Sequence, residues 1–86
     1  MYFVYVLKSK VDGKLYIGST NDLRKRFNEH NREINKSTKY RAPFGLIYYE
    51  AFTAEVDARI REKKLKQFKN SYGELKKRIY NSINAV

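Results

Sequence analysis

The chain has 86 residues, 42% of them hydrophobic, with one proline and no cysteine. That suits one domain over residues 1–86 with a modest core, and it excludes a disulfide framework and a thiolate metal site. Nineteen Lys and Arg against nine Asp and Glu give a net charge of +10, which draws polyanions. Nucleic acid is the natural partner, since phosphate neutralisation dominates such binding and eight Tyr and five Phe are available to stack on bases. The plainer reading of the charge is solubility or a membrane-surface patch. No apolar run approaches the roughly 18 residues of a membrane span. The N-terminal MYFVYVL lacks the flanks of a secretory signal, so a cytoplasmic protein without membrane association is expected.

In chain order, residues 2–8 are dense in Val, Tyr and Phe, and residues 14–18 repeat that composition. Both read as strands, and Asp12-Gly13 between them is a strong hairpin signal. Any register pairing odd residues of the first with even residues of the second puts Tyr5 and Tyr16 on one face. A tight turn pairing Val11 with Lys14 is such a register. Ser19 followed by Asp22 resembles a capping box and opens a helix over about 20–34, with Leu23, Phe27, His30 and Ile34 on one stripe and Arg26 beside it. Residues 35–45 form a polar, basic loop, and LIYYEAF at 46–52 is a third strand. A helix over about 53–69 follows, N-capped by Thr53. Ala54, Ala58, Leu65 and Phe68 make its main stripe, with Arg61 intruding, and Val56 and Ile60 make a shorter one. Gly73 breaks the chain, and Leu75, Ile79 and Ile83 mark a last helix. The reading is an α+β domain of order β-β-α-β-α-α.

Each candidate functional residue also has a structural reading. Tyr5 and Tyr16 are ordinary sheet residues. Gly18 ends a strand, where it forms a turn or, before a helix N-terminus, leaves room for a phosphate. Glu62 is the only acid in a run of cations that includes Arg59, Arg61, Lys63, Lys64 and Lys66. It is either half of a helical salt bridge to Lys66 or Arg59, or a carboxylate of low pKa suited to an oxygen-seeking divalent ion. His30, the sole histidine, is a core residue or a proton carrier, and alone it excludes a multi-histidine metal site.

Together, FVY at 3–5, YIG at 16–18, Arg26, His30 and Glu62 within REKKLK resemble the GIY-YIG nuclease superfamily over roughly residues 2–69. The first motif keeps only its tyrosine, while the second is intact. The resemblance implies a three-stranded antiparallel sheet flanked by helices, in agreement with the pattern above. It also implies a metal-dependent DNA endonuclease whose catalytic set is Tyr5, Tyr16, Arg26, His30 and Glu62, converging on one concave patch. Glu62 holds one Mg²⁺ or Mn²⁺, and Arg26 contacts the phosphoryl oxygens. Either Tyr5 or Tyr16 acts as tyrosinate base, its pKa lowered by Arg26, Lys8, Lys14 and the metal, and His30 orients or relays the proton. Lys8, Lys14, Gly18, Ser19, Arg24, Lys63 and Lys66 contact DNA. Ser19 stands where some members carry lysine, and no spacing carries their later asparagine onto Asn70 or Asn81. No organic cofactor is implied. A structure-selective activity on branched, flapped or single-stranded DNA, of the DNA-repair kind, is the expected function. A catalytically inactive nucleic-acid-binding module is the alternative.

Overall fold

Residues rich in β-branched and aromatic side chains build the central strand β1 (Tyr2–Ser9), with β2 (Leu15–Thr20) and β3 (Phe44–Phe52) antiparallel on either side in the order β2-β1-β3. The computed structural model describes residues 1–32 and 38–86. Helix α1 (Leu23–Asn31) follows β2, a short 3₁₀ turn (Lys39–Arg41) precedes β3, and α2 (Glu55–Gln67), α3 (Lys69–Arg78) and α4 (Tyr80–Asn84) complete the chain. The sheet carries helices on both faces. Val4, Val6 and Ile17 pack with Ala58, Leu65, Leu75 and Ile79 on one side. Tyr5, Leu7 and Phe44 pack with Tyr16, Leu23 and Phe27 on the other. Covered twice, β1 buries Val4, Tyr5, Val6 and Leu7 in succession, which is why its sequence barely alternates.

Strands β1 and β2 pair Tyr5 with Gly18 and Leu7 with Tyr16. The odd-with-even parity is the expected one, but the register is two residues wider than a Val11–Lys14 turn. Ser9 causes the difference. Its N–H donates to Lys14 O (3.0 Å), its C=O accepts from Gly13 N (2.9 Å), and its hydroxyl accepts from Val11 and Asp12 N–H. A shift of two preserves every side-chain face.

Element ends differ from the sequence pattern where tertiary pairing intervenes. Strand β2 continues through Ser19 to Thr20, opposite Phe3, so α1 is capped by Asp22, whose carboxylate accepts from Lys25 N (3.1 Å). The expected helical residues 33–34, Ile34 among them, and residues 35–37 of the expected loop lie outside the described residues. Strand β3 starts at Phe44 and has a register irregularity opposite Val6–Leu7. Thr53 does not cap α2: Ala54 holds that position without a side-chain bond, and the Thr53 hydroxyl turns to Met1 Sδ (3.9 Å). Of the α2 stripes only Ala58 and Leu65 are buried, while Val56, Ile60 and Phe68 are exposed. The chain breaks at Phe68, which is extended (φ −114°, ψ 112°), whereas Gly73 continues inside α3. Arg61 leaves the stripe to grip Glu50 of β3 at 2.9–3.1 Å. Leu75 and Ile79 join the core as their spacing predicts. Asn31 ties the end of α1 to the start of β3, donating to Phe44 O (3.1 Å) and accepting from Phe44 N (2.6 Å). Among the described residues no helix is long and apolar enough to cross a membrane.

Candidate active site

Among the described residues strand β2 pairs only with β1, and the five candidate catalytic residues gather around its free edge. Tyr5 comes from the middle of the sheet, directly opposite Gly18. Its ring crosses the space where a side chain at 18 would stand: a Cβ there would lie 2.6 Å from Tyr5 Cζ and closer still to the hydroxyl. The close approach at Gly18 is therefore made by the Tyr5 phenol, and α1 begins only at Leu23.

Tyr5 is 1% exposed, and its hydroxyl lies 2.9 Å from His30 Nε2, while His30 Nδ1 lies 2.8 Å from Thr38 Oγ1. All three side chains are buried. Burial lowers the imidazole pKa below its ordinary value, and the Arg26 charge lowers it further against a small opposing effect of Glu29. The ring is neutral, so one nitrogen donates and the other accepts. Burial also raises the Tyr5 pKa well above that of a free phenol; the Tyr16 and Glu62 charges add to this, and Arg26 opposes it by charge and hydrogen bond. Arginine only donates, so the retained phenolic proton points to Nε2, and Nδ1–H donates to Thr38. Contrary to the sequence expectation, the Tyr5 pKa is raised rather than lowered, because Arg26 does not outweigh burial.

Tyr16 is half-buried and stacks edge-on against His30, with ring centroids 4.9 Å apart. Tyr5 and Tyr16 share a face as parity requires, with centroids 6.5 Å apart.

Glu62 arrives from the other side of the sheet. Helix α2 packs on the Val4–Val6 face, and Glu62 reaches the β2 edge, where Ser19 Oγ donates to Oε1 (2.7 Å) and Lys66 Nζ to Oε2 (2.8 Å). Burial alone would raise its pKa, but these two hydrogen bonds and the Lys66 and Arg59 charges hold the carboxyl below its usual value. The helical salt bridge is thus real, and Glu62 is an anion acting on the Tyr5 phenol. Lys66 also lies 6.0 Å from the Tyr16 ring centroid, which links the carboxylate to the tyrosine face. Beside them opens a cleft of about 250 Å³ lined by Ser19, Thr20, Asn21, Arg26, Ala58 and Arg59, among other residues. No three His, Cys, Asp or Glu side chains cluster among the described residues. Glu62 alone would therefore hold a cation. That donor set fits an ion such as Mg²⁺, which keeps several waters and takes one carboxylate plus substrate phosphate oxygens.

The other predicted contacts divide. Lys66 and Ser19 are part of the site, Ser19 by fixing Glu62. Lys63 is exposed on α2. Lys14 lies beyond Tyr16, in a separate cleft with Tyr72 and Lys76. Arg24 lies by Phe3, Phe27 and Tyr49, away from Arg26. Lys8 points to the opposite face and donates to Ile83 O (2.8 Å) and Val86 O (2.9 Å) at the end of α4. Thr38 and Arg59 were not singled out from the sequence. Thr38 has no periodic signal, and in the sequence Arg59 stands out only as one cation of a basic run and a candidate salt-bridge partner of Glu62.

Residues 1–80 match the family model described as the GIY-YIG catalytic domain. The chain is 43% identical to a UPF0213 protein of Clostridium perfringens over 68 residues, 78% of this chain and 72% of that protein. It is 40% identical to a UPF0213 protein of Staphylococcus saprophyticus over 78% of this chain and 82% of the relative. A UPF0213 protein of Staphylococcus aureus is 38% identical over the same shares. No solved structure matches significantly. The chain belongs to the GIY-YIG domain family, a family of nucleases that generally use divalent metal ions.

Proposed function

We propose that residues 1–86 act as one Mg²⁺- or Mn²⁺-dependent DNA endonuclease unit, cytoplasmic, selective for branched, flapped or single-stranded DNA and engaged in DNA repair. The observation that carries this reading is the meeting of Tyr5, Tyr16, His30 and Arg26 with Glu62 at one sheet edge, although α1 and α2 lie on opposite faces.

In this reading Arg26 and Arg59 receive the phosphate in the cleft that they line, Arg26 through its planar fork of donors. Tyr16 is the base. Tyr5 is buried, its proton committed to His30 and its pKa raised, so it serves as the wall that positions Tyr16 and His30. The attacking water gives its proton to the Tyr16 oxygen, which this reading requires deprotonated, as the water oxygen bonds to phosphorus and the P–O bond breaks with its electron pair departing on the leaving oxygen. Glu62 would hold the divalent ion, which supplies charge stabilisation at the phosphate and leaving oxygen. Ser19 fixes Oε1 and Lys66 offsets the charge at Oε2.

Glu62→Gln tests the reading on a panel of linear and branched DNAs with and without Mg²⁺ or Mn²⁺. Cleavage should fall at least about a hundredfold, because such charge stabilisation is worth several kcal/mol and ~1.4 kcal/mol is tenfold. DNA affinity should hold or rise. The Lys66–Glu62 pair would suit an inactive binding module equally well. That reading wins if the wild-type protein binds DNA but cuts nothing in the panel.

A further inference from the structure

The free edge of β2 carries cations well beyond the catalytic cleft. Helix α2 runs antiparallel to it, so Arg59 stands near Ser19, Glu62 bonds Ser19 and Lys66 reaches Tyr16. Where α2 ends, α3 continues the line: Tyr72 and Lys76 close a second cleft of about 450 Å³ with Gly13, Lys14, Leu15 and Ile83. No carboxylate lines it. Neither Lys14 nor Lys76 has an ion-pair partner among the described residues. Asp12, the acid nearest Lys14 in sequence, accepts from the Lys14 backbone N–H with Oδ1 (2.9 Å) and is paired through Oδ2 with Arg41 at 3.0 Å.

The Lys76 ammonium sits 4.7 Å from the Tyr72 ring centroid. That cation–π contact holds a long side chain in place before any ligand arrives and reduces the rotamer entropy lost on binding. It also leaves the ammonium's outward N–H groups free to donate to an anion.

Resting on the nuclease reading, we infer that the DNA strand held at the catalytic cleft continues along the β2 edge and places a backbone phosphate between Lys14 and Lys76. The six residues of β2 span about 20 Å at ~3.3 Å each, and a stacked strand covers that length with about six nucleotides at ~3.4 Å. The strand is thus gripped at two points, at Arg26 and Arg59 on one end and at Lys14 and Lys76 on the other, with Tyr16 and Glu62 between. This explains a cleft lined by two lysines and no carboxylate, remote from the chemistry, and it sets a minimum substrate length on one side of the cut.

The test is fluorescence anisotropy with fluorescein-labelled DNA single strands and no divalent metal. One strand is long enough to span the whole edge, and a short one covers only the catalytic cleft. Lys14→Gln with Lys76→Gln should lower the log–log salt slope on the long strand by about 0.7 units, the value for the one single-strand phosphate that the two lysines share. Affinity for the short strand should be unchanged. A second pair, Lys64→Gln with Lys77→Gln, removes the same charge from exposed positions that line neither cleft and should change the long-strand slope far less. Equal effects of the two pairs would mean a diffuse basic surface and overturn the inference. So would an unchanged slope for the Lys14/Lys76 pair while wild-type cleavage persists, and that result leaves the nuclease reading standing. No wild-type binding at all would overturn both.

Discussion

Replacing Gly18 by alanine isolates the contact on which the candidate site's geometry turns. Gly18 has ordinary strand backbone, without the positive φ that Gly13 shows, so alanine meets no backbone strain there. In an open strand the change would even gain roughly 0.5–1 kcal/mol by restricting the unfolded chain. Here the new methyl would stand 2.6 Å from Tyr5 Cζ and 3.1 Å from Cε1, against about 3.5–4.0 Å for comfortable carbon contact. The ring must retreat by about 1 Å. It is buried and held through His30 to Thr38 at 2.9 and 2.8 Å, so the retreat strains a closed network. Overpacking of this kind costs about 1–3 kcal/mol. At about 4–8 °C per kcal/mol for a domain of this size, Tm should fall by roughly 5–20 °C. Cleavage should fall more than stability explains, since Tyr16 and His30 lose their support. Thermal unfolding and cleavage of Gly18→Ala, Tyr5→Phe and the double variant form the assay. Removing the hydroxyl takes away the nearest clashing atom, so the two substitutions should be coupled by about 1 kcal/mol or more. Additive effects within ~0.5 kcal/mol, or a Gly18→Ala protein with unchanged Tm and activity, would refute the steric argument.

Thr38→Val should leave His30 Nδ1–H buried without an acceptor, costing about 1–3 kcal/mol in denaturant midpoint stability. Thr38→Ser should restore most of it, and ¹⁵N shifts of the imidazole would show the tautomer change that a purely packing role for Thr38 would not produce. Stability should also vary with pH in a set direction. The His30 pKa is lowered from 6.5 in the fold, so the unfolded chain takes up its proton first and stability declines as pH drops below about 6.5. Glu50 and Glu62 are lowered from 4.5, which adds a second decline below that value. Tyr5 and Tyr48 are raised from 10.0, so stability is also lost above about pH 10 as the unfolded phenols ionise. Denaturant midpoints across pH check this, and His30→Gln should remove the step near 6.5.

Local pattern alone determined a good deal about this protein. Strand composition and the period of two place Tyr5 and Tyr16 on one face, and that survives a register two residues wider than the turn suggests, because a shift of two changes no face. The period of the last helical run identified Leu75 and Ile79 as core, since burial on one helix face leaves its mark in spacing. The order of Tyr5, Tyr16, Arg26, His30 and Glu62 carried the family. Tertiary structure decided what those residues touch. Ser19 looked like a helix cap, but pairing with β1 keeps it in β2 and aims its hydroxyl at Glu62, 43 residues away. Lys8 looked like a phosphate contact, but its place on the α2–α4 face turns it to the end of α4. Gly18 looked like room for DNA and is room for a phenol from the neighbouring strand. Thr38 carried no signal at all, because its partner is a ring buried beneath the sheet. Periodicity records only which side of an element is buried, whereas these roles depend on which other element comes to lie against it. Glu62 comes within electrostatic reach of Tyr5 only because α2 crosses the face opposite α1 and β2 ends the sheet there, leaving an edge around which a carboxylate can reach.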